Sequence, residues 1–586
     1  MKKIIYTFLL SLCFSTLNAQ SINETDKYLL FIKTWNFLKY YHPALASGRV
    51  NADSFFLAKQ VLVENMNTQA DMNKFLINSI HELGKFNNDV KNGSVKNVVK
   101  MNPLHKWYAE SRIVSDSLKK LLFNTYQNRN VKYHYYVPEV HYQTEIPNEK
   151  EYNFKANENL PIGMRFLALA KLQGTIDYLY PHKALMKENW DIVIKRNVPL
   201  FKNCTSRKDY EVLMLKIIAN LNDSHAYNKL YAGLKFRKEI FKNTFYPPFD
   251  YKIIGNQVLV TKIISPEICA DAGINVGDWI TKINNTSISF RIDELAELLS
   301  ASNRNTFIDR LNNYQTNLIW SADSVKFRLK LRTGKKEREV LVNFLNSNSE
   351  SSVNKIRGYL QNKSEITDSL KGFMHLINDI AYFNIDKIIQ LIEHVTDDKI
   401  DTHIDSILSV AAKQKAIIFD MRGYPQWGGF MYTYLYKKFG TANQHFAKYF
   451  KADLNNLGTF DWLNSSEVYN NAQIVPEGFK YRGKVIIIVN AKTHSLSEFN
   501  TMCLQSIFPT AITLGEQTSG ADGDEKSVNI PGNYQVYFTG NAIYYPYGKS
   551  AQGKGLKINK IVHPKISDLL TEQDTLLKYA IAEAEQ

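Results

Sequence analysis

The sequence predicts a multidomain α/β protein, α+β in overall plan, with a helical N-terminal half, a β-rich middle and an α/β core at the C-terminal end. Three observations predict it. At 586 residues the chain is too long for one hydrophobic core and calls for several domains. The N-terminal half repeats a helical pattern at a fixed offset. The C-terminal third carries short β-branched runs, Ala416-Ile417-Ile418-Phe419 and Val485-Ile486-Ile487-Ile488-Val489, each leading through a turn into residues at helical spacing. Runs this apolar and this short fit parallel strands covered on both faces.

Hydrophobic residues make up 44% of the chain and charged residues 22%, as in ordinary globular proteins. Met1-Lys2-Lys3, the apolar run from Ile4 to Leu12, and Leu17-Asn18-Ala19 before Gln20 predict a secretory signal peptide over residues 1–19. Leu12 before Cys13 is a poor lipobox residue, which argues against lipid anchoring. No later stretch approaches the apolar length of a membrane helix, so an exported, soluble protein, periplasmic or extracellular, is expected. The formal charge is +15, or 15 − 2 = +13 once Lys2 and Lys3 leave. The lysines are dispersed, so the excess points to an anionic envelope surface or acidic peptides rather than to nucleic acid. Cys204, Cys269 and Cys503 remain after cleavage and read as small buried apolar residues. No cluster at metal-ligand spacing, Walker loop or dinucleotide fingerprint occurs, so neither metal nor cofactor is expected.

Residues 20–235 form the expected helical domain. Trp35-Asn36-Phe37-Leu38-Lys39-Tyr40-Tyr41-His42-Pro43 is echoed by Gln173-Gly174-Thr175-Ile176-Asp177-Tyr178-Leu179-Tyr180-Pro181, an offset of 181 − 43 = 138. Asn51, Asp53 and Leu83 fall opposite Asn189, Asp191 and Leu221 at the same offset, which marks an internal repeat with units near 21–90 and 160–228. The first copy ends Leu83-Gly84-Lys85-Phe86-Asn87 and the second Leu221-Asn222-Asp223-Ser224-His225. Only the second has an imidazole base at its tip, so His225 is something the scaffold itself does not need. The plainer reading is a solvated loop histidine. Between the copies, residues 92–159 are a tyrosine-rich, charged connector whose role the sequence does not disclose. Its run Tyr133-His134-Tyr135-Tyr136 reads as an aromatic packing surface.

Residues 246–345 change character. Short β-rich runs, Val258-Leu259-Val260 and Ile280 to Ile283, flank Ile268-Cys269-Ala270-Asp271-Ala272-Gly273-Ile274-Asn275-Val276-Gly277-Asp278-Trp279. This resembles the PDZ signature, and the resemblance implies a module that adds an extended peptide to a sheet edge. The plainer role is packing against neighbours. Asp293 to Tyr314 reads as a helical insertion, and residues 346–369 as a polar linker.

Residues 370–586 form the α/β core, with strands near Phe373–Leu376 and Ala381–Ile385 and a helix near Ile404–Lys413 ahead of the two apolar runs. Sites in such sheets collect at the carboxyl ends of strands. Gly428-Gly429 and Ser495 both follow strands in that way and can face one pocket. Ser495 opens a segment with Leu496, Phe499, Met502 and Cys503 at helical spacing, where unpaired N–H groups favour a developing oxyanion. The competing reading makes Ser495 an N-cap, with Glu498 completing a capping box.

The joint order Asp420-x-Arg422-Gly423, Gly428-Gly429, Val489-Asn490 to Ser495-x-Ser497-Glu498, then Gly515-Glu516-x-Thr518-x-Gly520, behind a PDZ-like module, resembles the C-terminal processing (tail-specific) serine peptidase family over about Pro161 to Pro564. The resemblance implies a core of the ClpP/crotonase-like type with Ser495 as nucleophile. The lysine that serves one branch as general base is replaced by Ala521, whereas Ser224-His225 matches the pair of the tricorn-core-like branch, which makes His225 the base. That branch implies orienting roles for Ser224 and for a glutamate whose position here is Gln552. It also implies oxyanion donors at the backbone N–H of Leu496 and of Gly428, with Gly429 as the alternative because Trp427 lengthens the turn. The function expected is an exported serine endopeptidase acting on peptide or unfolded protein tails through an acyl-enzyme, with PDZ-like docking. Ala521 and Gln552 motivate an alternative, a catalytically weakened or inactive peptide-binding protein. An esterase or peptidoglycan-fragment hydrolase would use the same acyl chemistry.

Overall fold

The structure, a computed structural model, describes residues 20–84, 103–131, 133–139, 143–367, 372–440, 446–464 and 476–586. The expected leader, residues 1–19, lies outside them. The chain divides into two compact units after Asn130.

The first unit is helical: α1 (Glu24–Tyr41), α2 (Ala52–Val63), α3 (Gln69–Glu82) and α4 (Asp116–Gln127). Each begins where the side chain of Asn23, Asn51, Thr68 or Ser115 accepts a hydrogen bond from a first-turn N–H. Trp35 packs edge-on against Phe56, 5.0 Å between rings, and donates its indole N–H to the Ala52 carbonyl at 2.8 Å.

The second unit opens its helical part with α5 (Ile162–Leu179), α6 (Trp190–Asn203) and α7 (Arg207–Ala219). Their starts follow those of α1, α2 and α3 by 162 − 24 = 190 − 52 = 207 − 69 = 138 residues. Gly84 and Asn222, also 138 apart, follow the third helix of each set with φ of +91° and +49°. The sequence grouped residues 20–235 as one domain, whereas the contacts part the two copies at Asn130. The second copy is fastened to a β-hairpin of its own unit: Arg207 Nε donates to the Tyr534 hydroxyl and the Tyr210 hydroxyl to the Pro531 carbonyl, both at 2.8 Å.

An antiparallel sheet follows, in the order β1 (Phe249–Ile254), β2 (Gln257–Ile263), β3 (Trp279–Ile283), β4 (Lys326–Thr333) and β5 (Lys336–Asn343). The helix expected over Asp293 to Tyr314 is instead two, α8 (Ile288–Ala296) and α9 (Arg304–Leu311). Asn303 ends the break between them by accepting from the Thr306 N–H at 3.0 Å. The segment 346–369, read as a linker, contains α10 (Glu350–Thr367). Its low hydrophobicity hid it, because it is held by polar contacts: Lys355 reaches Glu267 and Ser265, and Tyr359 and Lys363 both reach Asp250.

The core is a six-stranded sheet of β6 (Met374–Ile377), β7 (Ile380–Asn384), β8 (Ala416–Asp420), β11 (Lys484–Val489), β12 (Ile512–Gly515) and β15 (Lys560–Ile561), in the order β15-β12-β11-β8-β7-β6. All neighbours are parallel except β6 and β7. On one face α11 (Ile400–Ala411) and α12 (Leu496–Ile507) bury Leu408, Phe499 and Met502 with Phe419 and Ile487. On the other α13 (Thr575–Glu585) buries Leu576 and Ala580 with Ile418, Ile486 and Ile488. Both faces are covered, which explains the unbroken apolar runs. A smaller antiparallel sheet has the order β10 (Phe460–Asn464), β9 (Lys448–Ala452), β14 (Tyr534–Tyr544), β13 (Gly523–Ile530). Thr144 and Ile146 of the connector bond both sides of Ser527, at 2.9 Å each, and so cover part of the β13 edge. Among the described residues no helix is long and apolar enough to cross a membrane.

Candidate active site

β8 and β11 are neighbours in the parallel sheet, so the turns at their carboxyl ends lie side by side. The turn after β11 is tied to the end of β8 through the hydroxyls of Thr493 and Ser497, which donate to the Met421 carbonyl at 2.9 and 2.8 Å. Ser495 sits at its apex with φ +50° and ψ −119°, a conformation costly for a residue with a Cβ and maintained only where surroundings over-determine it. Here Ser495 N–H donates to the Ala521 carbonyl at 3.1 Å, and its hydroxyl lies 3.5 Å from the Gly523 carbonyl.

The capping-box reading does not survive this geometry. Ser495 makes no side-chain cap to α12. Glu498 turns the other way and accepts from the Thr518 hydroxyl at 2.5 Å, Gly520 N–H at 2.8 Å and Ala521 N–H at 2.9 Å. It is fully buried, and burial raises its pKa against the opposing pull of those three donors. Glu498 therefore holds the 518–521 loop, whose Ala521 carbonyl in turn holds Ser495. Asp522, next in that loop, is also buried, and burial with the neighbouring Glu498 and Asp524 charges pushes its carboxyl well above the usual carboxylate range.

His225 lies in a short 3-10 turn, Ser224–Ala226, capped by Asp223, whose Oδ1 accepts the His225 N–H at 3.0 Å. The same oxygen is 3.3 Å from His225 Nδ1, and Oδ2 accepts the Thr539 N–H at 2.7 Å. Nδ1 also meets the Thr539 hydroxyl at 2.9 Å. An ionised carboxylate only accepts, so this arrangement favours the tautomer with the proton on Nδ1 and leaves Nε2 as the free base. Nε2 is buried and has no protein partner among the described residues. Burial alone would lower the His225 pKa, but the Asp223 hydrogen bond and charge outweigh it and the net shift is upward. For Asp223 burial acts upward, and His225 together with the Thr539 and His225 N–H groups holds the carboxyl well below the usual range.

The two halves meet at His494, the residue before Ser495. Its ring centroid lies 4.8 Å from that of His225 at 40° between planes, and its Nδ1 is 3.1 Å from the Ser519 hydroxyl. Burial, then the charges of His225 and Arg310, keep His494 neutral. The serine hydroxyl and the His225 imidazole thus share one site without bonding each other, since Ser495 Oγ is turned toward Gly523.

Of the remaining sequence-derived residues, Leu496 and Gly428 are brought together: a Cβ on Gly428 would stand 3.2 Å from Leu496 Cδ1. One on Gly429 would collide with the Trp427 indole at 2.8 Å. Ser224 and Gln552 do not orient the histidine. The Ser224 hydroxyl accepts from Ser302 N–H at 2.9 Å, and both amide atoms of buried Gln552 lack a protein partner among the described residues. Asp223 and Thr539 take that role. Asp223 stood in the sequence two positions before the histidine, an acid close enough to signal itself. Thr539, 314 residues from His225, carried no such signal.

Residues 379–562 match peptidase family S41. No curated protein matches the sequence. Among solved structures, mature CPAF is similar at 13% identity over 72% of this chain and 97% of that chain, with a TM-score of 0.51, a likeness of fold. The photosystem II D1 C-terminal processing protease is similar at 12% identity over 68% of this chain and 93% of that chain, with a TM-score of 0.34. The tricorn protease is similar at 14% identity over 72% of this chain and 36% of that chain, with a TM-score of 0.29.

Proposed function

The α/β core of this chain belongs to peptidase family S41, a family of serine peptidases, and from that premise we propose an exported endopeptidase that cuts peptide or unfolded protein tails through an acyl-enzyme at Ser495. The observation that carries the reading is a buried imidazole nitrogen on His225 with no protein partner among the described residues, its opposite nitrogen held by Asp223 and Thr539 and its ring 4.8 Å from that of His494, the residue before a serine on a strained turn. In this reading the Ser495 side chain turns from Gly523 toward His225 Nε2 for catalysis. The imidazole removes the proton as Oγ attacks the scissile carbonyl. The oxyanion is met by the N–H of Leu496, at the start of α12 where first-turn donors have no intrahelical partner, and by the N–H of Gly428 in the turn after β8. His225, now a cation stabilised by Asp223, returns the proton to the leaving amine, and water repeats the sequence to free the enzyme. Export follows from the leader over residues 1–19, and the sheet β1–β5 is the PDZ-like docking module of this reading.

A fluorophosphonate probe tests the proposal. Ser495 should be labelled in the folded protein; Ser495→Ala should abolish labelling and His225→Ala should leave only a small residual rate. An unlabelled wild type would sink it. The second reading, a peptide-binding protein without turnover, is favoured by one observation, the Ser495 hydroxyl directed at Gly523 rather than at His225. It requires equal peptide binding by wild type and His225→Ala with no hydrolysis by either.

A further inference from the structure

The segment inserted between α8 and α9 reaches both halves of the candidate site. Resting on the assignment of His225 and Ser495 above, we propose that residues 300–310 clamp the histidine loop against the serine turn, with Arg310 as the positioning residue. On the histidine side the contacts are reciprocal. Ser300 Oγ accepts the Asp223 N–H at 3.0 Å and donates to the Asp223 carbonyl at 2.8 Å. Ser302 Oγ accepts the Ser224 N–H and the Ser302 N–H donates to Ser224 Oγ, both at 2.9 Å. On the serine side, the Asn303 amide donates to the carbonyls of Thr518 and Ser519 at 2.8 and 2.9 Å. That is the loop whose N–H groups Glu498 holds and whose Ser519 hydroxyl meets His494.

Arg310 closes the clamp from inside α9. One guanidinium nitrogen donates to the Ser224 carbonyl at 2.7 Å and the other to the Ser300 carbonyl, while the guanidinium carbon lies 4.5 Å from the centroid of the Tyr227 ring. Two carbonyls on different segments and an aromatic face are satisfied at once, which a planar fork does and an ammonium does not. The loop residues on either side of His225 are therefore fixed by one side chain that touches neither substrate nor the reacting atoms. A serine–imidazole pair tolerates little displacement, since misplacement of about 1 Å costs on the order of 100-fold in rate.

The test compares Arg310→Ala and Arg310→Lys with wild type in two measurements. Amide hydrogen exchange over residues 221–227 should speed up by about tenfold or more in Arg310→Ala, with α13 unchanged, because the Ser224 and Ser300 carbonyls lose the donor that ties them together and the loop opens more often. Fluorophosphonate labelling of Ser495 should lose about 10- to 100-fold in its maximal rate at nearly constant probe affinity. Arg310→Lys should fail to restore it. In a His225→Ala background Arg310→Ala should change the residual rate no further, as expected of a residue acting through the imidazole. If Arg310→Ala loosens the whole unit, the double variant Ser300→Ala/Ser302→Ala, which removes two hydroxyls and no charge, takes its place with the same expectations. Wild-type exchange in 221–227, or slower labelling without faster exchange, overturns the clamp. An unlabelled wild type overturns the peptidase reading instead, and the exchange measurement still decides the clamp.

Discussion

Asp223 does for His225 what neither Ser224 nor Gln552 is placed to do. It caps the turn, selects the tautomer and lies ready to stabilise an imidazolium, all through one buried carboxylate. A pH dependence follows, with a definite sign. With His225 as the base of the proposed mechanism, its protonated form takes no proton from Ser495, so activity should be lost as pH falls through its pKa, and the upward shift places that loss above the ordinary value of 6.5. The acid limb of kcat/KM on a fluorogenic peptide is therefore expected above pH 6.5. Asp223→Asn removes the opposing charge and leaves burial dominant, so the limb should move below that value while kcat falls about 1000-fold. An unshifted limb would assign the orienting role elsewhere.

At the scale of elements, the parallel pair β8 and β11 explains why residues about seventy positions apart in the chain share a turn cluster, and α12 explains why the serine comes with free N–H groups behind it. The sheet β1–β5 is less open than a peptide-docking module suggests. At its β1 edge the Ile253 N–H already donates to Asn312 Oδ1 at 2.7 Å, and the Tyr251 hydroxyl to the Leu311 carbonyl at 2.8 Å. A peptide adding itself there competes with Asn312. Asn312→Ala frees that donor, and affinity for an extended peptide, followed by fluorescence anisotropy, should rise about fivefold, the worth of one net hydrogen bond. Unchanged affinity would move docking to another surface.

For the whole molecule, every residue assigned a part in the site lies in the unit that starts at Val131. A chain beginning there is expected to keep its circular dichroism and to label at Ser495 within about threefold of the full chain, as a unit with its own core should. Loss of labelling with the fold intact would give the first unit a part in catalysis. The sequence by itself determined the strands β6, β7, β8 and β11 of the core sheet, the repeat offset, the serine at a strand-to-helix turn and the histidine at the end of the second repeat. Those follow from local signals: β-branched runs, cap residues and glycines act over a few positions, and the repeat preserves them in register. It misread α10 as a linker, because the segment is poor in apolar residues and is fastened through Lys355, Tyr359 and Lys363, and it gave the histidine's support to Ser224 and Gln552. Only the tertiary structure decided that Thr539 meets the imidazole, that Glu498 braces the 518–521 loop rather than a helix cap, and that Arg310 reaches the histidine loop. The physical reason is the same in each case. A hydrogen bond between groups on different elements, 20 residues apart for Glu498 and Thr518, 86 for Arg310 and Ser224 and 314 for Thr539 and His225, is specified by how the elements pack, and packing leaves no period or spacing in the chain that carries it.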